Sequence, residues 1–379
     1  MRGPEPRSEI ASLPLYVPGA TRGRAGGPVI KLSSNESALG PSPAALQAYS
    51  AHADTLLRYP ETGCDTLRGA LAERHGLEVA RLVCGNGSDQ IVHALTVLYA
   101  GHGDEVIFSE YGFLRFKLSA IASGATPVSA KEVVHTVSVD ALLAAVTERT
   151  KVVLLANPNN PTGTYIPRAE LEQLCAALPA TVLLVIDSAY AEFVERDDYS
   201  DGADLVRGAE NIVMTRTFSK AYGLAGLRLG WAYGPESVVE AFNRARLPFP
   251  VSSAAQAAGV AALQDESHLR AVVAHNAGAV VWVADRTRDL ALPPLPSATN
   301  FNTCRVGEPG TGRAQAALDF LARRNILVRP LDPYGLDNYL RITVGLDKEN
   351  EKLVDGLAKF VDSHMSGGLG ASDPNRCVS

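Results

Sequence analysis

The chain has 379 residues, 46% of them hydrophobic and 20% charged, with a formal net charge of −6 at pH 7. That balance suits a globular enzyme with a sizeable core, the length suggests two domains, and the acidic excess argues against a nucleic-acid or anionic-membrane partner. No apolar run reaches the roughly 18 residues of a membrane-spanning helix, and the N-terminus MRGPEPRSEI lacks the apolar centre of a secretion signal. Five scattered cysteines (Cys64, Cys84, Cys175, Cys304, Cys377) without metal-ligand spacing point to reduced thiols in a cytoplasmic protein, and to no metal.

In chain order, the first 30 residues are rich in Pro, Gly and Arg and read as an extended arm, with Tyr16 the aromatic of Leu13–Gly19. Val29–Leu32 is a short strand running into Ser33-Ser34-Asn35-Glu36. Helical spacing covers Pro43–Ala53 and Thr66–His75, with Arg58-Tyr59-Pro60 as a turn between them. Val83-Cys84-Gly85-Asn86-Gly87-Ser88-Asp89 then opens a helix over Gln90–Tyr99. Glycines followed by Ser and Asp at a helix start can cradle a phosphate, because free N–H groups and the macrodipole both favour an anion there. Taken alone, the same turn reads first as an ordinary helix cap, and only the company of the lysine segment further on favours the phosphate reading.

From here strands and helices alternate. The strands are Glu105–Phe108, Thr126–Ser129, Lys151–Ala156, Val182–Ile186 and Asn211–Met214, and the helices Tyr111–Ala122, Asp140–Val146 and Glu170–Leu178. Short, wholly apolar strands between helices predict a mostly parallel α/β sheet covered on both faces, with ligands at the carboxyl ends of its strands. Asn160 in Asn157-Pro158-Asn159-Asn160-Pro161-Thr162-Gly163, Asp187 and Lys220 fall at three such ends. Ser252–Leu263 and His268–Leu290 are long helices. A smaller α/β unit follows: strand Asn300–Arg305, helix Gly312–Arg324, strands Ile326–Arg329 and Tyr339–Val344, helix Glu349–Val361. The Gly/Ser-rich tail from Ser366 is expected to be disordered.

The stretch MTRTFSKAYGLAGLRLGW, Met214–Trp231, sets Thr217, Ser219 and Lys220 after a strand, with Arg228 eight residues beyond the lysine. A lysine held in a cleft, with its pKa lowered by burial or a neighbouring cation, is a nucleophile towards carbonyls. This segment resembles the S-K-x7-R cofactor-lysine segment of fold-type I pyridoxal-phosphate enzymes. With LPLYVPG, SSNES, RYP, GNGSDQ, YGF, NPNNPTG, IDSAYAEF, VRPL and LRITVG, the chain from Leu13 to about Val361 is similar to class I/II aminotransferases, and among them to the histidinol-phosphate aminotransferase branch.

The resemblance implies a large pyridoxal-phosphate-binding domain over residues 41–265 and a small domain formed by 266–365, with residues 1–40 contributing an arm. It makes Lys220 the Schiff-base lysine, with Asp187 on the pyridine nitrogen and Asn160 and Tyr190 on the ring oxygen. Tyr111 stacks on the ring, and Ser88, Asp89, Thr217, Ser219 and Arg228 surround the phosphate of pyridoxal 5'-phosphate. Tyr59 reaches the neighbouring subunit's cofactor, which implies a homodimer whose active sites are completed across the interface. Arg341, Arg329, Tyr16 and Asn35 face the substrate. Read by themselves, Tyr111 is equally a core aromatic, and Asp187 is more often just a strand cap, its role resting on context. The arm reads Asn35-Glu36-Ser37-Ala38 where the family has Asn-Glu-Asn-Pro, which bears on the mouth of the substrate pocket. Gln90 and Ser188 stand where glutamates are common. An aromatic amino-acid aminotransferase is the alternative substrate reading, a same-fold decarboxylase a more distant one, and a cofactor-binding regulatory module the alternative from another class.

Overall fold

The apolar strands line up in one seven-stranded sheet. Its order is Leu82–Gly85, Gly230–Tyr233, Ile212–Thr217, Leu183–Asp187, Thr150–Ala156, Glu105–Ser109, Thr126–Ala130. Every neighbouring pair is parallel except those made by Gly230–Tyr233, which runs antiparallel to both of its neighbours. The computed structural model describes residues 3–11, 13, 15, 19–20 and 27–365; Tyr16 and the tail from Ser366 lie outside the described residues.

The strands are apolar throughout because both faces are covered. Successive side chains alternate between two cores. Val153, Leu155, Leu184, Ile186 and Met214 pack on one side, and Val152, Leu154, Val185 and Val213 on the other. Burying each such side chain contributes about 1.5–3 kcal/mol. A one-residue slip would exchange the two sets, so the register is fixed by packing. That register places Ala156, Asp187 and Thr215 in one row at the carboxyl edge.

A smaller three-stranded antiparallel sheet contains Phe301–Arg305, Tyr339–Thr343 and Arg329–Pro330. The N-terminal strand Ile30–Lys31 pairs in parallel with Ile326–Leu327. The 24-residue helix Glu266–Asp289 spans roughly 36 Å and links the two cores. Its Val272 packs with Tyr190 and Phe301, and its Ala279, Val280 and Val283 pack under the small sheet. Asp265 caps its start by accepting the His268 N–H at 3.1 Å, and Arg286 and Arg288 complement the dipole at its end.

Several local expectations need correction. The helix expected from Tyr111 begins only at Leu114, because the Tyr111 N–H is taken by the Glu132 carboxylate (3.2 Å) and Gly112 turns back onto the Ser109 carbonyl (2.8 Å). The strand expected over Ile326–Arg329 is split, its first half pairing with Ile30–Lys31 and its second with Tyr339–Thr343. The arm is not wholly extended: Ser8–Ala11 forms one helical turn, and Arg7 donates to the Ala122 carbonyl at 2.7 Å. The strand Gly230–Tyr233, the helix Glu236–Ala245 and the hairpin Glu132–Val133/Thr136–Val137 are additional elements.

Gly230 is where the antiparallel strand meets the helix Ser88–Tyr99. A Cβ at 230 would lie 2.1 Å from the Ser88 backbone nitrogen, whereas one at Gly278, exposed on the long helix, meets nothing within 4 Å. Gly230→Ala is expected to destabilise the protein by about 1–3 kcal/mol through overpacking against backbone. Gly278→Ala should be neutral or stabilising by up to about 1 kcal/mol, since alanine is the better helix former. Urea unfolding of the two variants checks this; equal midpoints would contradict the packing.

Candidate active site

The carboxyl edge of the large sheet opens into a cavity of about 490 Å³ that the small sheet and the N-terminal segment close from the other side. Among the residues expected at the site, Ser88, Asp89, Asn160, Asp187, Tyr190, Thr217, Ser219, Lys220, Arg228, Arg329, Arg341 and Asn35 all line it. Two do not, and Tyr16 lies outside the described residues. Tyr59 is 82% exposed and stacks on Phe249 at 4.5 Å, away from this chain's own cavity. Tyr111 sits behind the wall, its ring stacked on His135 at 5.5 Å, because the helix starts later than its sequence suggests. Phe113, two residues on, is the lining aromatic from that turn.

One end of the cavity is built for an anion. Gly87 (φ +82°) leads into the helix Ser88–Tyr99, and a Cβ there would lie 2.6 Å from an Arg228 guanidinium nitrogen. Any side chain at 87 would therefore fill the cradle. Arg228 is itself held at φ +53°, an arrangement that costs a non-glycine residue about 1–2 kcal/mol and aims the guanidinium back at this turn. Thr217 accepts the Ser219 N–H at 3.1 Å, which folds the segment so that both hydroxyls line the same end. Asp89 contributes differently: its carboxylate accepts from Arg115 Nε at 3.1 Å, so only its backbone is suited to an anion.

In the middle lies Lys220, whose Nζ donates to the Ser34 carbonyl at 3.3 Å and sits 5.7 Å from the Tyr190 ring centroid. Burial, then the Arg341 charge, lower its pKa to about 8, against opposing contributions from Glu36 and Asp187. Asp187 ends its strand with Oδ1 accepting from Thr215 at 3.2 Å, and burial followed by the nearby Asp89 charge raises its pKa to about 6. Tyr190 accepts from Asn35 Nδ2 at 2.8 Å, and burial pushes its pKa up, so its hydroxyl keeps a proton to donate. Asn160 Oδ1 accepts from Arg341 at 2.5 Å, and Arg341 also donates to the Ser33 carbonyl at 3.0 Å. Arg329 lies directly across the strand pair from Arg341, so both guanidinium groups come from one face of the small sheet.

Sequence reasoning missed Lys31, Glu36, Phe113, Arg115 and Tyr334, all of which line the cavity. Six lining residues are basic (Lys31, Arg115, Lys220, Arg228, Arg329, Arg341) and three acidic (Glu36, Asp89, Asp187), so a chain of net charge −6 surrounds its cavity with an excess of three basic groups. Such a site favours ligands carrying more than one negative charge. Its donor set fits pyridoxal phosphate: a phosphate cradle at one end, a carboxylate and a low-pKa amine in the middle, and amide and phenol donors beyond. Among the described residues, no group of three His, Cys, Asp or Glu could hold a metal ion, and no helix is long and apolar enough to cross a membrane.

The depressed Lys220 pKa has a direct consequence. Between about 8 and 10.5 the unfolded chain would hold a proton that the folded protein releases, so the contribution of Lys220 to stability rises with pH through that window. In cofactor-free protein, acylation of Lys220 should be half-maximal near pH 8 rather than 10.5. Asp187→Asn should move that midpoint lower still, because the carboxylate favours the charged amine. Rate-resolved peptide mapping measures it; a midpoint near the ordinary lysine value in the wild-type protein would contradict the described burial.

Comparison with known proteins agrees with this geometry. Residues 27–357 match the family model described as aminotransferase class I and II. The chain is 48% identical over 361 residues to the histidinol-phosphate aminotransferase of Paramagnetospirillum magneticum, covering 95% of this chain and 99% of that protein. It is 49% identical over 368 residues to the enzyme of the same name from Rhodospirillum centenum, with the same coverage. Among solved structures, the histidinol-phosphate aminotransferase of Sinorhizobium meliloti in complex with pyridoxal-5'-phosphate superposes with a TM-score of 0.87 at 31% identity, covering 94% of this chain and 98% of that one. With a site built in this way and a family match over most of its length, the chain belongs to the class I and II aminotransferases.

Proposed function

We propose that the protein is a pyridoxal 5'-phosphate-dependent aminotransferase that takes histidinol phosphate as amino donor and 2-oxoglutarate as acceptor. The observation that carries this reading is the convergence on one cavity of a partly buried, low-pKa Lys220, the strand-end Asp187 and two small-sheet arginines, Arg329 and Arg341. The 46–49% identity to relatives named histidinol-phosphate aminotransferase supports the substrate. When bound, the cofactor supplies an aldehyde that captures amines and a ring that takes up electrons from the substrate carbon.

The chain's own residues do the rest. Lys220 would hold the cofactor through its aldehyde and, as a low-pKa amine in the cavity, is the group placed to take up and return the proton of the substrate carbon. Asp187 would hold the ring nitrogen, since a cationic partner there would offset the burial of its carboxylate. Tyr190 and Asn160 would donate to the ring oxygen. Ser88, Thr217, Ser219 and Arg228 would hold the phosphate, with backbone from the Asp89 turn. The oxo acid would enter the same site in a second half-reaction and take up the amino group, leaving Lys220 free to hold the aldehyde again, a ping-pong cycle.

Two guanidinium groups on one face suit a phosphate dianion or the carboxylates of the second substrate. Histidinol phosphate has no carboxylate, so on this reading Arg341 and Arg329 serve its phosphate. The arm and residues 266–365 then act as a small domain closing over residues 41–265. The enzyme works as a cytoplasmic homodimer, in which exposed Tyr59, with Leu56, Leu57 and Leu247 also exposed, meets a second copy and reaches its cofactor.

Arg329→Ala is expected to raise KM for histidinol phosphate about 10- to 100-fold, the loss of hydrogen bonds to a charged group, while changing turnover of phenylalanine little. Arg341→Ala should impair both donors. Steady-state kinetics with the two donors measures this. If Arg329→Ala leaves histidinol phosphate untouched while phenylalanine remains a good substrate, the aromatic amino-acid aminotransferase replaces this reading.

A further inference from the structure

Behind the cavity wall lies a buried carboxyl group that none of the roles above uses. Glu132 opens the hairpin Glu132–Val133/Thr136–Val137. Its Oε1 accepts the Tyr111 N–H at 3.2 Å and Asn159 Nδ2 at 3.4 Å. Oε2 is buried with no hydrogen-bond partner, and so is Oδ1 of Asn159. Asn159 Nδ2 also donates to the Tyr111 carbonyl at 3.2 Å and to Thr162 Oγ1 at 3.0 Å, while its own N–H meets the Thr164 carbonyl at 2.7 Å. Glu132 and Asn159 together therefore join two turns. One carries Phe113 into the cavity wall, and the other carries Asn160, bonded to Arg341.

The hairpin that carries Glu132 is pinned as well. Its tip, Val134 and His135, has φ +49° and +59° with no glycine to ease the turn. The His135 ring stacks on Tyr111 and lies 5.2 Å from Tyr339 of the small sheet. A strained tip held between rings of both sheets fixes Glu132 relative to the two turns at once.

We propose, resting on the aminotransferase reading above, that Glu132 is a positioning residue for the reaction: its carboxyl group locks the Asn159–Asn160 turn against the Tyr111–Phe113 turn, and so sets Asn160 towards Arg341 and the cofactor's ring oxygen. Burial, with Glu110 nearby, pushes the Glu132 carboxyl up to about 7, against the hydrogen bond from the Tyr111 backbone. The other titratable groups facing the cluster are Lys131, which is paired with Glu110, and the His135, Tyr111 and Tyr339 rings. A proton on the carboxyl turns one of its oxygens from acceptor into donor, so the lock changes state near neutral pH.

The test uses cofactor-loaded E132Q, E132A and N159A. Four quantities are read for each: the pH titration of the visible absorbance of the lysine-bound cofactor, KM and kcat, the cofactor dissociation constant and the melting temperature. An inflection near pH 7 in the wild-type titration is expected to disappear in E132Q and E132A alike. E132A should lose between about tenfold and 100-fold in kcat/KM, as a displaced reacting geometry does, with E132Q restoring most of the loss. Glutamine keeps the acceptor and supplies a donor. N159A, which opens the same bridge from the other side, should reproduce the loss and carries the test if E132A does not fold. A normal titration and normal kcat/KM in E132A, or in N159A where E132A does not fold, would overturn the proposal. So would a uniform drop in melting temperature without change in titration or cofactor affinity. A protein that binds no cofactor or transaminates nothing would instead refute the underlying functional reading.

Discussion

Lys220 and Asp187 are both taken out of water at the carboxyl edge of the sheet, and the surroundings of the cavity exist to make that tolerable. An uncompensated charge in such a place costs several kcal/mol. The protein meets the cost by pushing both groups towards neutrality, lysine down to about 8 and aspartate up to about 6. The same shifts poise the amine as a nucleophile and leave the carboxylate in need of a cationic partner.

The second constraint is that the site is not the property of one sheet. Three hydrogen bonds cross the cavity: Asn35 to Tyr190, Arg341 to Asn160, and Lys220 to the Ser34 carbonyl. Each joins a large-sheet residue to the small sheet or to the N-terminal segment that pairs with Ile326–Leu327. The Tyr190–Phe301 edge contact and the helix Glu266–Asp289 brace the same junction. Arg341 and the strand-end residues therefore share one hydrogen-bonded frame, so a group bound at Arg341 would bear directly on Asn160.

Much of this was legible in the sequence, and what was not has physical causes. Wholly apolar strands alternating with helices specify a parallel sheet, and the ends of such strands are where Asn160, Asp187 and Lys220 were sought. The antiparallel strand Gly230–Tyr233 escaped because it follows the lysine loop without a turn signal of its own. The pattern after Phe108 reads as a helix from Tyr111, whereas the Tyr111 hydrogen bond to Glu132, a residue 21 positions away, delays that helix to Leu114. Arg115 and Glu36 were invisible as lining because facing depends on which side of a loop each residue lands. Arg216 makes the converse point. One residue before Thr217, it faces the opposite side of the sheet and pairs with Glu192 at 2.8 Å and with Asp201.

The most direct measurement of the central claim is a single half-reaction. Purified, cofactor-loaded protein is titrated with histidinol phosphate in the absence of any oxo acid, and the visible absorbance of the lysine-bound cofactor is followed. The account predicts that this absorbance is lost stoichiometrically, at lower donor concentrations than phenylalanine or aspartate requires, and is restored by 2-oxoglutarate. Absorbance that histidinol phosphate leaves unchanged, while another amine converts it fully, would contradict the account.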